Sequence, residues 1–187
     1  MAESIIKGFH PEEGPIELTA DKLGKDLIVQ GPEHFMTHEG KHYTLSHYFS
    51  LVDTDEYARL RIKTPADVWL HSIFFVLSSG GLAVTVYRDT SFTHVAGNSV
   101  NQYNKNDSLR YSSPVTEVCH TPGGSGAGTK FIETLPVGTS SKFNIGAGNA
   151  RDTNEIVLAR DTTYLVEAIS TTDGNKITLG LDFYYRP

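Results

Sequence analysis

Apolar and polar residues take alternate positions over most of the chain that follows residue 42. The clearest runs are residues 58–63, 82–87 and 176–185, in which every second residue is apolar. This alternation predicts β-strands with one face on a core and the other face in water. In residues 69–77 both faces are largely apolar, which favours a central strand that is covered on both sides.

Further strand candidates lie between clusters of Gly, Asn, Asp, Ser and Pro. They are residues 43–52, 115–121, 130–135, 155–159 and 164–170. About nine strands at this spacing predict an all-β fold, an antiparallel sandwich or barrel. Residues 171–175 contain Asp173-Gly174 and predict a hairpin turn, because glycine supplies the positive φ that a tight reversal needs.

The N-terminal segment has a different pattern. Its apolar residues are scattered among Glu, Lys, Gly and Pro without a sustained period. We therefore predict an extended N-terminal arm over residues 1–37, followed by a β-sandwich domain over residues 38–187. Scattered apolar side chains suit an extended segment that lies in a groove on its own or on a neighbouring subunit.

Composition narrows the class of protein. A length of 187 residues fits one domain, or one domain with an arm. The 16 Lys and Arg against 22 Asp and Glu give a net charge of -6, so no basic surplus is present to neutralise a phosphate backbone and we expect no nucleic-acid partner. A 39% hydrophobic content with 17 Gly and 8 Pro excludes disordered and collagen-like chains.

The cysteine content and the N-terminal residues indicate the cellular compartment in which the protein folds. The single Cys119 cannot close an intrachain disulfide, which excludes a disulfide-stapled scaffold and favours folding in a reducing cytoplasm. The first ten residues lack a charged region followed by an apolar run, and no apolar run approaches the length of a membrane span. We expect neither a cleaved signal peptide nor a membrane partner.

The segment His38-Glu39-Gly40-Lys41-His42 matches the HExxH zinc-protease motif in its letters. That chemistry requires one helix that carries both histidines on the same face. The residues that follow alternate like a strand, so the sequence argues against zinc hydrolysis. A metal site built from His38, His42 and a distant residue stays open.

Other candidate motifs also have simpler interpretations. Residues 122–130 are similar to a phosphate-binding loop but lack its Gly-Lys-Ser/Thr ending, so they predict a connection between strands. His47 and His71 lie on the apolar faces of their strands and are interpreted as core residues. Cys119 is interpreted as a buried, inert thiol, and its neighbour His120 points to the opposite face of the strand. The sequence therefore predicts no catalytic residue, no cofactor and no bound metal.

Several segments, taken in order, resemble the capsid decoration or cement proteins of tailed bacteriophages. They are His38-Glu39-Gly40 with the aromatic strand 43–49, Tyr103-Asn104-Lys105-Asn106, Cys119-His120-Thr121-Pro122, residues 155–165 and residues 181–185. Together they span roughly residues 38–187, and the arm is not covered. The family usually ends in Trp-Tyr-Glu, where this chain has Phe183-Tyr184-Tyr185.

The resemblance implies a β-sandwich or jelly-roll domain that assembles, often as a trimer, on the outside of the expanded phage head. We therefore expect a non-enzymatic structural protein that is made in the host cytoplasm, resides in the virion and stabilises the head. Its expected partners are the major capsid protein and further copies of itself. The residues expected to make these contacts are in the arm: Ile5, Ile6, Phe9, Ile16 and Leu18.

The alternative function is a carbohydrate- or receptor-binding sandwich module of a virion. Exposed tyrosine and tryptophan rings on a sheet can stack on sugars, and this would again need no catalytic residue.

Overall fold

The computed structural model describes residues 6–10, 14–18, 32–109, 111–115, 117–137, 142–145 and 155–186. The chain divides into two compact units, residues 1–35 and residues 36–187. In the first unit, β1 (Ile6–His10) and β2 (Gly14–Leu18) form an antiparallel pair in which Ile6 lies opposite Leu18. The helix α1 spans Pro32–His38.

The second unit is built almost wholly from strands. In chain order these are β3 (His42–Val52), β4 (Tyr57–Lys63), β5 (Trp69–Ser78), β6 (Leu82–Arg88), β7 (Gln102–Asn104), β8 (Glu117–His120), β9 (Thr129–Val137), β10 (Lys142–Ile145), β11 (Ile156–Leu158), β12 (Thr163–Ser170) and β13 (Asn175–Arg186). A single 3-10 turn, Ala96–Asn98, is the other regular element described in this unit.

These strands form two sheets, and every described pairing is antiparallel. The first sheet has the order β10-β5-β13-β3-β7, with β11 also paired to β5. The second sheet has the order β8-β4-β12-β6-β9. The prediction of an all-β protein with antiparallel sheets is confirmed, and the two sheets are consistent with a β-sandwich.

The core is formed by the inward residues of both sheets, which belong to one apolar cluster. Its fully buried members include Leu45, Phe74, Leu179, Leu181 and Phe183 from the first sheet, and Leu60, Ile62, Val86, Tyr164 and Val166 from the second. In β4, β6 and β13 the cluster takes every second residue: Ala58, Leu60 and Ile62; Leu82, Val84 and Val86; and Ile177, Leu179, Leu181 and Phe183. The period-two pattern in the sequence therefore reports directly which residues face the other sheet.

The prediction that residues 69–77 are covered on both faces was wrong. β5 is a central strand, since β13 pairs with one edge and β10 and β11 with the other. One of its faces is buried, but on the other face Trp69 is 48% exposed and Phe75 and Leu77 are partly exposed. An antiparallel sheet needs cover on one face only, so apolar residues on both faces do not by themselves predict burial.

The prediction of a hairpin at residues 171–175 was also wrong, because this turn does not join two strands of the same sheet. Gly174 has the expected positive φ of 64°, but β12 lies in the second sheet and β13 in the first. The turn therefore carries the chain across the sandwich. The Asn175 side chain is buried at this corner, where it accepts a hydrogen bond from the Gly80 N–H and donates to the Gly81 carbonyl, at 2.8 and 3.1 Å.

The face of β4 that carries its charged residues is partly buried, although its alternation predicts a face in water. Arg61 is buried: it donates to the Phe92 carbonyl at 2.9 Å and pairs with Glu117 at 2.9 Å. Arg59 pairs with the buried Glu167 at 2.7 Å. Phe92 lies in the connection between β6 and β7, and this connection covers the two arginines. The alternation within β4 could not indicate that another segment covers them.

Candidate functional site

The outer face of the first sheet places polar and aromatic residues side by side. Cross-strand pairing arranges it in four rows: Lys142, Leu77, Thr178 and Tyr48; then Asn144, Phe75, Gly180 and Ser46; then Ile73, Asp182, Thr44 and Tyr103; then Val157, His71, Tyr184 and His42. We call these residues the outer face of the first sheet. Rows one to three mix aromatic with small residues, and polar contacts gather at row four.

A line of hydrogen bonds runs through His42 at the start of β3. Its Nε2 lies 2.5 Å from Asp182 Oδ1, and its Nδ1 lies 2.7 Å from the Thr37 hydroxyl. Because an ionised carboxylate can only accept, His42 Nε2 donates to it, and Nδ1 is the ring atom that contacts the Thr37 hydroxyl. Lys105, just beyond β7, pairs with the other Asp182 oxygen. The contacts tie residues that lie 140 positions apart in the chain.

The Asp182 carboxylate is held in its charged form. Burial alone would raise its pKa, but hydrogen bonds and charge interactions with His42 and Lys105 outweigh burial and lower the pKa from 3.8 to about 2. The carboxylate is therefore ionised at any physiological pH. Its negative charge lies beside the positive charge of Lys105, so the cluster carries little net charge.

A second cluster joins β13, β5 and the residue before β11. The Tyr184 hydroxyl donates to Glu155, with oxygen separations of 2.9 and 3.0 Å, and the His71 Nδ1 contacts the same carboxylate. The rings of His71 and Tyr184 stack at 4.9 Å between centroids. His71 was predicted to be a core residue. It lies instead on the outer face and is satisfied there by Glu155.

The order hydroxyl, imidazole and carboxylate in Thr37, His42 and Asp182 resembles the order of groups in a hydrolase that uses a nucleophile, a base and an orienting acid. Such a base must reach its substrate. The His42 side chain is only 1% exposed, and Lys105 already neutralises the carboxylate that would stabilise a protonated ring. The arrangement can hold the ends of β3, β7 and β13 together, and its buried imidazole is badly placed for catalysis.

Two further histidines meet between the sheets. The rings of His47 on β3 and His120 on β8 stack at 3.6 Å between centroids and 7° between planes, with Phe49 edge-on to His47 at 4.7 Å. Burial lowers the pKa of both rings, and the neighbouring His120 lowers the pKa of His47 further. β3 and β8 belong to different sheets, so this neutral pair bridges the sandwich.

The HExxH match does not form a zinc-protease site. α1 ends at His38, while His42 begins β3, so no single helix carries both histidines. His38 is exposed and His42 is buried. Within the described residues, no group of three or more His, Cys, Asp or Glu is placed to hold a metal ion.

The other motifs take the forms that the sequence predicted. The glycine-rich segment connects β8 to β9 with no helix behind it, and Gly126 accepts a hydrogen bond from the Ser91 N–H at 3.0 Å. Cys119 is a buried free thiol. Of the residues expected to bind partners, Ile6, Phe9, Ile16 and Leu18 lie in β1 and β2, and Ile5 is outside the described residues.

Sequence reasoning missed the pairing of His42 with Asp182 and of Tyr184 with Glu155. A partial signal was available, because the alternation in residues 176–185 already places Asp182 and Tyr184 on one face of their strand. The sequence did not indicate which strands flank β13. That neighbour relation brings His42 and His71 to the two sides of Tyr184.

Comparison with known proteins gives no relative: no protein-family model, no curated protein and no solved structure matches the chain. Among the helices that the structure describes, none is long and apolar enough to span a membrane.

Proposed function

We propose that this chain is a non-enzymatic structural protein of a tailed-phage particle, a decoration or cement protein that binds the outer surface of the capsid and stabilises the head. In this proposal the major capsid protein and further copies of the chain, as a homotrimer, are its partners, and the virion is its location. The protein needs neither a nucleic acid nor a membrane to act.

The observation that carries the proposal is where the resembling segments lie. Three of the five segments lie on neighbouring strands: the aromatic segment is in β3, Tyr103 and Asn104 are in β7, and residues 181–185 are in β13. These strands are neighbours in the first sheet. Lys105 pairs with Asp182, and the Asn104 side chain donates to the Gly40 carbonyl at 2.8 Å. Side chains that hold neighbouring strands together are what a scaffold protein without chemistry would need.

The jelly-roll form of the sandwich is part of the same proposal. It is supported by the order of strands: β3, β5 and β13 lie in the first sheet, and β4, β6 and β12 lie in the second. Successive strands from β3 to β6 thus alternate between sheets, and the last two strands lie centrally, one in each. This alternation between two sheets supports a jelly roll, which is a double-sheet fold.

The arm is proposed as the contact with neighbouring subunits. β1 and β2 form a two-stranded sheet, and a two-stranded sheet has marginal stability by itself in water, so a partner surface would stabilise it. Many copies that each make a modest contact gain strength on a capsid through multivalency. The proposed contact residues remain Ile5, Ile6, Phe9, Ile16 and Leu18.

Purified full-length protein mixed with phage heads that lack it provides the test. We expect it to sediment with the heads, and heads that carry it to release DNA at a higher temperature than bare heads. Serine at positions 6, 9, 16 and 18 should abolish co-sedimentation but leave the unfolding transition of the sandwich in place. Serine at Tyr57, an exposed residue of the second sheet, is the control and should not affect binding.

Two results would contradict the proposal. One is an unchanged DNA-release temperature with a protein that is strictly monomeric and does not bind heads. The other concerns the first compact unit alone: if a chain without residues 1–35 fails to fold, that segment belongs to the core and is not a contact arm.

A further inference from the structure

Asp173-Gly174 is the only Asp-Gly pair in the chain, and the chain has no Asn-Gly pair. These two dipeptides cyclise most readily, because glycine has no side chain to shield its backbone nitrogen from the carboxyl or amide carbon of the residue before it. At an Asp-Gly pair the nitrogen attacks the carboxyl carbon, a water molecule leaves, and a succinimide ring forms. Water then opens the ring at one of its two carbonyls and gives either aspartate or isoaspartate.

The turn between β3 and β4 holds both reacting groups of this pair. The Gly174 N–H donates to Asp53 Oδ1 at 2.8 Å, and the Thr54 N–H donates to Asp173 Oδ1 at 3.0 Å. The Gly174 nitrogen must lose its proton before it attacks. That loss would replace a hydrogen bond to a carboxylate with two negative charges side by side, so Asp53 opposes the first step. Asp53 is also too weak a base to take an amide proton itself.

Thr54 keeps the Asp173 carboxyl group in its less reactive form. Loss of water requires the neutral acid, because an ionised carboxylate would have to release an oxide ion. Hydrogen bonds from the side chain and the backbone of Thr54 lower the pKa of Asp173. At a given pH the folded chain therefore carries less of the neutral acid at this position than the unfolded chain does.

Isoaspartate at this position would disturb a buried corner of the fold. It inserts an extra methylene group into the backbone between Asp173 and Gly174, and Asn175 follows directly. The buried Asn175 side chain bonds to the Gly80 N–H and the Gly81 carbonyl at 2.8 and 3.1 Å. Displacement of Asn175 breaks these bonds and leaves buried polar groups without partners. Modified chains should therefore melt at a lower temperature than unmodified chains.

We propose that Asp173 is a latent site of isoaspartate formation, which Asp53 keeps unreactive in the folded chain through its hydrogen bond with the Gly174 N–H. Asp53 is then a positioning residue, since it acts on the reaction through the backbone of Gly174. Opening of the two turns, and not the intrinsic reactivity of the Asp-Gly pair, sets the rate of modification. The inference rests on contacts within the chain and is independent of the proposed function.

Incubation of the full-length protein at pH 6 and 37 °C tests the inference. A protein isoaspartate methyltransferase assay counts isoaspartate, and mass spectrometry of peptides locates it. We expect the folded wild type to form isoaspartate at Asp173 at least tenfold more slowly than the same chain unfolded in guanidinium chloride. Asp53→Ala should raise the rate in the folded protein at least fivefold and should lower its melting temperature as isoaspartate accumulates. Asp53→Asn keeps an acceptor oxygen for the Gly174 N–H and should raise the rate less than Asp53→Ala does.

Glu56→Ala is the matched control. Glu56 is an exposed carboxylate of the same turn, and it accepts the Asp53 N–H at 3.0 Å, so its removal loosens the turn but leaves both contacts of the Asp-Gly pair in place. It should change the rate less than twofold. The proposal fails if folded and unfolded wild type form isoaspartate at Asp173 equally fast, if Asp53→Ala is no faster than wild type, or if Glu56→Ala or Asp53→Asn accelerates the reaction as much as Asp53→Ala.

Amide hydrogen exchange in the wild type gives a measurement that needs no variant to fold. The Gly174 amide should exchange at least tenfold more slowly than in the unfolded chain, because its N–H is bound to Asp53. Exchange at the rate of the unfolded chain would overturn the role of Asp53.

Discussion

Replacement of Asp182 by Asn should destabilise the protein by an amount that depends on pH. The side chain is 22% exposed, and it accepts hydrogen bonds from His42 and Lys105. An asparagine keeps the shape but turns one acceptor into an N–H donor, which then faces a donor of one of these residues. The depression of the pKa from 3.8 to about 2 corresponds to about 2 kcal/mol of folding free energy at neutral pH.

The sign of the pH dependence follows from the lowered pKa. The unfolded chain takes up a proton at Asp182 near pH 3.8, before the folded chain does, so the contribution is complete above that pH and disappears as the pH falls through about 2. Urea unfolding of wild type and Asp182→Asn at pH 7, 5 and 3 measures it. We expect a difference of about 2 kcal/mol at pH 7 and 5, and roughly half of that at pH 3.

Asp161→Asn is the matched control. Asp161 pairs with Lys63 at 2.5 Å but is 72% exposed, so its removal should have a small effect because exposed pairs are weak and screened. If Asp182→Asn has no larger effect than Asp161→Asn at pH 7, or if its effect is the same at pH 7 and pH 3, the carboxylate is not held in the way described.

Three further variants test other parts of the sandwich. Burial lowers the pKa of both His47 and His120, so as the pH drops the unfolded chain binds protons first, and the free energy of unfolding should fall below about pH 6.5. In urea unfolding from pH 8 to 5, His120→Gln should lose less of this free energy than the wild type does. An equal loss would argue against the pair. Gly180→Ala should cost about 1–3 kcal/mol, because its Cβ collides with the Phe75 ring and with a backbone oxygen, and a melting temperature unchanged in calorimetry would contradict this. Ser72→Ala should stabilise the protein by up to about 1 kcal/mol, because the buried Ser72 hydroxyl has no hydrogen-bond partner among the described residues, and a lower unfolding midpoint in guanidinium would show that the hydroxyl is satisfied.

Strand positions were predictable because a period of two is a local property. Each of the nine predicted strands corresponds to an observed strand. For example, β4 begins at Tyr57, one residue before the predicted start at Ala58. β1, β2 and β10 were not predicted, and neither was β7, which has three residues. A strand this short has no repeat for a pattern to reveal, and it forms because it pairs with the edge of β3.

The candidate site was much less predictable. The residues that meet there, His42, Glu155, Asp182 and Tyr184, come from distant parts of the chain, and no spacing along the sequence relates them. His47 and His120 show the same limit: alternation placed each on a face of its strand, but only the packing of two sheets brings their rings to 3.6 Å.

The sequence by itself determined the positions of nine strands, which face of the regularly alternating strands meets the core, and that the fold is all-β. These properties depend on contacts within a strand and on the transfer of apolar side chains out of water, and both are readable from one residue to the next. Only the tertiary structure decided which strands are neighbours, that the turn at Gly174 crosses between sheets, and that Arg61 is covered. Those outcomes depend on contacts between segments far apart in the chain, whose free energy is set by the complete packing of the domain and by no local pattern.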